Sequence, residues 1–258
     1  MSHAVQSTLE TTDKNLLELF RARVAEDLML LAKLHDSEPD KALIEELNKL
    51  EFPQSLTLLP ETGPANEAML LMKQTLLEIK TSEQQSVMDD LAADYAAIYL
   101  THSFSASPEE SVWLDEDSLM CQDSMFQVRS WFETYGLGIE NWRVRPDDHL
   151  VYQLQFIATL LILDNESESI EKAAAFMDEH LLRWLGNFAE RVLERCDTTY
   201  FASIAAITAT YCEELRDTLA KMINKPRPTR EEIDIRMRPN QGQQEVEVSF
   251  MPGMGPVV

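Results

Sequence analysis

The chain has 258 residues, of which 45% are hydrophobic and only 7 are glycine, so it can bury a sizeable core and is not a disordered polypeptide. With 45 acidic residues against 22 basic ones the net charge is −23, which argues against nucleic acid or an anionic membrane surface as partner. A basic partner would be attracted by such a surface, although an acidic surface also serves solubility alone.

Scarce glycine and a lack of strand-like alternation point to an all-α fold. Residues 1–12 are polar and are expected to be a flexible N-terminus. From Asp13 the apolar residues Leu16, Leu17, Phe20, Val24, Leu28 and Leu31 recur at helical spacing, and the helix is predicted to run to about Leu34. Ser37 is the expected N-cap of a short helix carrying Leu43, Ile44, Leu47 and Leu50. Prolines at 53, 60 and 64 break the chain, and a helix follows to about Lys80. Ser82-Glu83-Gln84-Gln85 reads as a capping box. The helix it opens is predicted to reach Thr101, with Leu91, Tyr95, Ile98 and Tyr99 on one face.

Residues 102–108 form a loop of small residues, and 109–115 lead into a helix from about Ser118 to Tyr135 that Gly136 and Gly138 end. Next comes Arg145-Pro146-Asp147-Asp148-His149, then a run apolar on nearly every face to Leu163, interrupted by Gln153 and Gln155. Such a run is a central core helix, with Pro146 and the two aspartates expected in its first turn. Helices are predicted from Ser169 to Arg195, with a break near His180 or Gly186, and from Thr198 to Ile223. Proline-rich residues 224–258 are expected to be a mostly disordered tail, although Val246, Val248 and Phe250 alternate like a short strand. The expected organisation is one helical domain over 13–223, with no signal peptide and no membrane-spanning segment.

Asp148 and His149 have the chemistry of an acid–base pair, but no nucleophile or orienting third group accompanies them. The alternative is a helix start in which Asp148 caps and His149 packs. His102, His149 and His180 lack ligand spacing, so no metal site is expected. The cysteines Cys121, Cys196 and Cys212 form no CxxC pair, and buried thiols in a reducing cytosol are expected. Tyr95, Ile98 and Tyr99 either line a peptide groove or belong to the core. Phosphate loops and hydrolase elbows are absent.

Four segments, in order, resemble one family. Asp94-Tyr95-Ala96-Ala97-Ile98-Tyr99 is similar to its Tyr/Trp-x-x-Leu-Phe segment, and Pro108-Glu109-Glu110-Ser111-Val112-Trp113 to its Pro-x-x-Ser-Val-Tyr segment. Pro146-Asp147-Asp148-His149 resembles its Glu-Pro-x-Asp-His hallmark, and Phe176, His180, Leu181, Trp184, Phe188, Tyr200 and Phe201 follow its later helix signature. The family is the TorD/DmsD group of chaperones for molybdoenzymes, also called redox enzyme maturation proteins. Arg145 departs from it, standing where the family has Glu, and Glu109 stands where some members carry Trp.

The resemblance implies a TorD-like helical domain in a cytoplasmic, non-enzymatic chaperone, monomeric or homodimeric, with no cofactor of its own. The implied partner is the precursor of a molybdopterin-dependent oxidoreductase. Members bind its twin-arginine leader, hold it from export, and help the apoenzyme accept bis-molybdopterin guanine dinucleotide. The implied leader-binding residues are Tyr95, Ile98, Tyr99, Pro108, Ser111, Asp148 and His149. An acidic rim over an aromatic floor complements a leader with a basic end and an apolar stretch. Two other roles fit less of the pattern: assembly of a membrane-bound reductase without reading an export signal, and nucleotide binding through Asp148 and His149.

Overall fold

Asp13 does not open the first helix. In the computed structural model, which describes residues 2–58, 63–82, 85–115, 118–163 and 166–237, helix α1 already begins at Ser2 and runs through Ser2–Asp36. Once nucleated, a helix extends at one hydrogen bond per residue, and a polar lead-in can join it. The next helix, α2 (Lys41–Lys49), starts from Asp40 rather than Ser37. Pro39 drives the preceding Glu38 out of helical geometry, so no helix can follow directly from Ser37. The Asp40 carboxylate, just past the proline, accepts from Leu43 N–H at 2.7 Å instead.

Helix α3 (Pro64–Thr81) begins with a proline in its first turn and ends at Ser82. The Ser82–Gln85 capping box includes residues 83 and 84, which lie outside the described residues. Helix α4 (Gln85–Tyr95) does not continue as an α-helix to Thr101: Ala96–Leu100 form a π-helical turn, closed by Thr101 N–H on the Ala96 carbonyl at 2.8 Å. Periodicity does not separate the short helix α5 (Ser111–Leu114), and α6 is confined to Asp123–Thr134.

The apolar run forms α7 (Leu150–Ile162), the most deeply buried helix. It packs chiefly on α1 and on α8 (Glu166–Glu179). The break expected near His180 or Gly186 falls at His180, followed by a 3-10 turn (Leu181–Arg183) and α9 (Leu185–Arg195). Helix α10 (Thr199–Ile223) packs on α3, α8 and α9 and ends at Asn224 in the left-handed conformation, φ 50°. The described residues contain no strand, and the protein is all-α. No described helix is long and apolar enough to cross a membrane.

Buried ionic groups lock these helices. The Arg21 guanidinium on α1 donates to the Leu161 and Leu163 carbonyls, each at 2.5 Å, and so meets the orphan C-terminal carbonyls of α7. Arg216 on α10 grips Asp178 on α8 in a two-pronged pair at 2.8 and 2.6 Å. Asp27 accepts from the Tyr211 hydroxyl at 2.8 Å and from Thr57 N–H at 2.6 Å.

The chain divides into two compact units, Met1–Arg227 and Pro228–Val258. The second unit includes one short helix, α11 (Arg230–Met237), which opens on a capping box, with Glu232 N–H donating to Thr229 Oγ1 at 3.3 Å and Thr229 N–H to the Glu232 carboxylate at 2.7 Å. The strand-like alternation at 246–250 lies outside the described residues.

Candidate functional site

Pro146 and the two aspartates do not occupy the first turn of α7. Helix α7 starts at Leu150, with His149 as N-cap: its Nδ1 accepts from Val151 N–H at 3.2 Å. The reason is a pairing across sequence. Glu109 and His149 form an antiparallel bridge; Leu150 N–H donates to the Pro108 carbonyl at 2.8 Å and Glu110 N–H to the Asp148 carbonyl at 3.3 Å. Those bonds hold 146–149 out of helical geometry.

Asp148 therefore caps another helix. Its Oδ2 accepts from Ser111 N–H at 2.8 Å, at the start of α5. Its Oδ1 has no hydrogen-bond partner among the described residues, and the residue is fully buried. Gln153 of α7 donates to Glu110 Oε2 at 2.8 Å and to the Asp148 carbonyl at 2.9 Å, while His180 Nδ1 meets Glu110 Oε1 at 2.9 Å. Arg129 of α6 pairs with Asp147 at 2.8 Å and stacks on Trp142 at 4.6 Å. The Ser107 hydroxyl donates to the Glu109 carboxylate. Pro108, Ser111, Asp148 and His149 are thus brought together in one buried polar junction among α5, α7 and the 180 turn.

Burial sets the electrostatics here. It pushes the Asp148 carboxyl up from 3.8 to about 6, against the pull of the Ser111 N–H, with Glu110 adding to the rise. Burial likewise pushes Glu109 from 4.5 to about 7, opposed by Ser107 and reinforced by Asp148. His149 is held well below its usual value, first by burial and then by the Arg145 charge.

Tyr95, Ile98 and Tyr99 lie elsewhere, packed against α1 and α10. Ile98 is fully buried; the Tyr95 hydroxyl donates to the Asp36 carbonyl at 2.8 Å; the Tyr99 hydroxyl and His35 Nδ1 are 2.6 Å apart. His35, whose other nitrogen meets Thr208 at 2.9 Å, is lowered to about 3 by burial. Asp94 accepts from Asp197 and Thr198 N–H at 3.1 and 2.7 Å and so holds the turn into α10. The aromatic segment is packing between α1, α4 and α10.

Arg145 joins the two regions. Its guanidinium pairs with the Asp36 carboxylate, reaches the Asp36 carbonyl at 3.3 Å, and lies 5.8 Å from the centre of the Tyr152 ring. The positive charge expected beside the corner is therefore already engaged. Periodicity gives no reason to pair Glu110 with His180 or Arg145 with Asp36. Gln153 carried the one available signal, a polar residue on an apolar helix that requires a buried partner.

An open cleft of about 890 Å³ lies along the same segment, lined by His102, Ser107, Val112, Trp113, Leu119 and Arg191 among others. Trp113 forms its aromatic wall, with its indole N–H fixed on the Ser107 carbonyl at 2.8 Å and Arg191 5.9 Å from its ring centre. His102, Ser105 and Ser118, which also line it, have φ of 52°, 53° and 50°, a conformation non-glycine residues rarely adopt. Such strain gathers where a loop is shaped for a ligand. Among the described residues, no group of three or more His, Cys, Asp or Glu side chains is disposed to hold a metal ion.

Residues 62–190 match the family model described as nitrate reductase delta subunit. That span contains the aromatic segment, the Pro108–Trp113 segment, the Pro146–His149 corner and the His180 turn. The Chaperone protein TorD of Vibrio vulnificus (strain YJ016) is 26% identical over 204 residues, covering 76% of this chain and 94% of the relative. That of Aliivibrio salmonicida (strain LFI1238) is 26% identical over 207 residues, covering 77% and 95%. That of Shewanella pealeana (strain ATCC 700345 / ANG-SQ1) is 23% identical over 223 residues, covering 83% and 96%.

Proposed function

Since this chain belongs to the nitrate reductase delta subunit family, in its TorD/DmsD group of chaperones, we propose that it is a cytoplasmic chaperone for one molybdopterin oxidoreductase. It binds the twin-arginine leader and the apo form of that precursor, assists cofactor insertion and delays export. It is a binding protein, not an enzyme, as its chaperone relatives are named.

The observation that carries this reading is the cleft along 102–122, whose wall is held by the buried junction of Pro108, Ser111, Asp148 and His149. An apolar stretch of leader fits against Val112, Trp113 and Leu119. The net charge of −23 favours encounter with a basic peptide in general. Asp148 and His149 act by fixing that wall, whereas Tyr95, Ile98 and Tyr99 hold α4 and the turn after it against α1 and α10. Alanine at Asp148 or His149 weakens leader binding by loosening the junction.

The test is a pull-down from the native cytosol with the bound precursor identified by mass spectrometry, followed by calorimetry with its synthetic leader. Enrichment of a molybdoenzyme precursor that is lost when the leader is deleted supports the proposal. Recovery that persists without any leader supports a second reading, assembly of a reductase without export-signal recognition, which the nitrate reductase delta subunit description favours.

A further inference from the structure

The C-terminal end of α1 carries a binding site for a guanidinium group, and the chain fills it with its own arginine. Asp36, the last residue of α1, offers a carboxylate and a carbonyl at the negative end of a 35-residue helix. Arg145 takes both, through the Asp36 carboxylate and through the carbonyl at 3.3 Å. The Tyr95 hydroxyl shares that carbonyl at 2.8 Å, and the Tyr152 ring lies 5.8 Å from the guanidinium carbon. A carboxylate, an oriented carbonyl and an aromatic ring together are the elements that recognise a planar cation. Glu38 adds a second negative charge nearby, within electrostatic reach of the same Tyr95 hydroxyl.

The occupant is replaceable. The Arg145 side chain is 31% exposed and that of Asp36 43%, so an incoming group can reach the pair. Ion pairs this exposed contribute little to stability, too little to shut out a competitor that brings contacts of its own. We propose that Arg145 is an internal stand-in for an arginine of the bound peptide, which displaces it from Asp36 on binding. This rests on the leader-binding reading, and it assigns the leader's guanidinium to Asp36 rather than to the buried Asp148. Displacement would also free the 145–149 corner from its tie to α1, coupling occupancy of the site to the junction that shapes the cleft.

The test has two arms. In the first, millimolar arginine amide is added to wild type, Arg145→Ala and Asp36→Asn/Arg145→Ala, with lysine amide as control, and thermal midpoints are recorded. Arg145→Gln, which keeps a polar stem, serves if the alanine variant folds poorly. Arginine amide should raise the midpoint of the emptied variant by a few degrees, with little effect on wild type or on the double variant, and lysine amide should do less. No arginine-specific rise in either single variant overturns the inference. In the second arm, calorimetry compares a twin-arginine peptide with its twin-lysine counterpart. Removing the internal competitor should tighten the arginine peptide roughly threefold to tenfold, and Asp36→Asn should erase its preference over lysine. Unchanged affinity in Arg145→Ala overturns the displacement. A response to arginine amide without binding of either peptide to any variant keeps the guanidinium site and overturns the leader-binding reading.

Discussion

Asp148→Asn should make the protein more stable at pH 8, because the wild-type carboxylate is buried with one oxygen unpartnered. Burial raises its pKa from 3.8 to about 6, so the folded state binds the proton more tightly than the unfolded state. The ionised form is therefore a cost that is absent below about pH 3.8, grows between there and about pH 6, and is constant above. At about 1.4 kcal/mol per pH unit, that cost reaches about 3 kcal/mol at pH 8. Asparagine keeps an acceptor for Ser111 N–H, now 2.8 Å from Oδ2, and removes the charge. Its amide N–H groups need partners too, so the expected net gain is about 1–2 kcal/mol at pH 8, falling towards zero near pH 4. Asp148→Ala removes the acceptor as well. The stranded Ser111 N–H costs about 1–3 kcal/mol, which roughly offsets the lost charge at pH 8 and leaves a net loss at pH 4. Urea unfolding of the three proteins at both pH values measures these differences. If Asp148→Asn is no more stable than wild type at pH 8, and the difference does not change with pH, the burial argument fails.

Glu109→Gln should show the same sign for the same reason: its advantage over wild type grows from about pH 4.5 to about pH 7 and then levels, read as the difference between two urea curves at each pH. Comparing variant with wild type cancels His35 and His149, whose lowered values push stability the opposite way in that range. Asp178→Ala should cost about 3–5 kcal/mol by leaving Arg216 buried and unpaired, whereas Asp178→Leu/Arg216→Met should recover most of it in the same assay. Arg21→Ala should cost about 2–4 kcal/mol by stranding two carbonyls of α7, and Arg21→Lys should recover only part, since one ammonium cannot reproduce the fork. Truncation after Arg227 keeps its pairs with Glu213 and Asp217 and should leave the thermal midpoint of the first unit unchanged; a large drop would show that 228–258 stabilises it.

Helical periodicity and composition determined the all-α class and most helix positions, because amphipathic spacing is a local property and each helix answers to its own residues. The central place of α7 was legible in the same way, since a helix apolar on nearly every face has nowhere to sit but the middle. The break at His180 and the end of α10 near Ile223 were legible too, whereas the starts of α1, α2 and α7 were not. The start of α7 depends on distant groups, the Pro108 carbonyl and the bridge to Glu109, which hold 146–149 out of the helix. Asp148 looked like the cap of the helix that follows it, yet its carboxylate reaches Ser111, 37 residues earlier, while His149 caps α7. The aromatic segment read more readily as core than as groove, and in the structure His35, Asp36 and Thr208 supply partners that no spacing announces. The same holds for Arg145: its sequence neighbours suggest a cation facing the corner, and only the packing of α1 against α7 brings Asp36 to neutralise it, 109 residues away. Local pattern marks most of the apolar residues that become buried, though not all: Leu16 and Leu50 stay exposed. Which buried polar group answers which is decided by tertiary packing, because a hydrogen bond or an ion pair acts over a few ångströms regardless of separation along the chain.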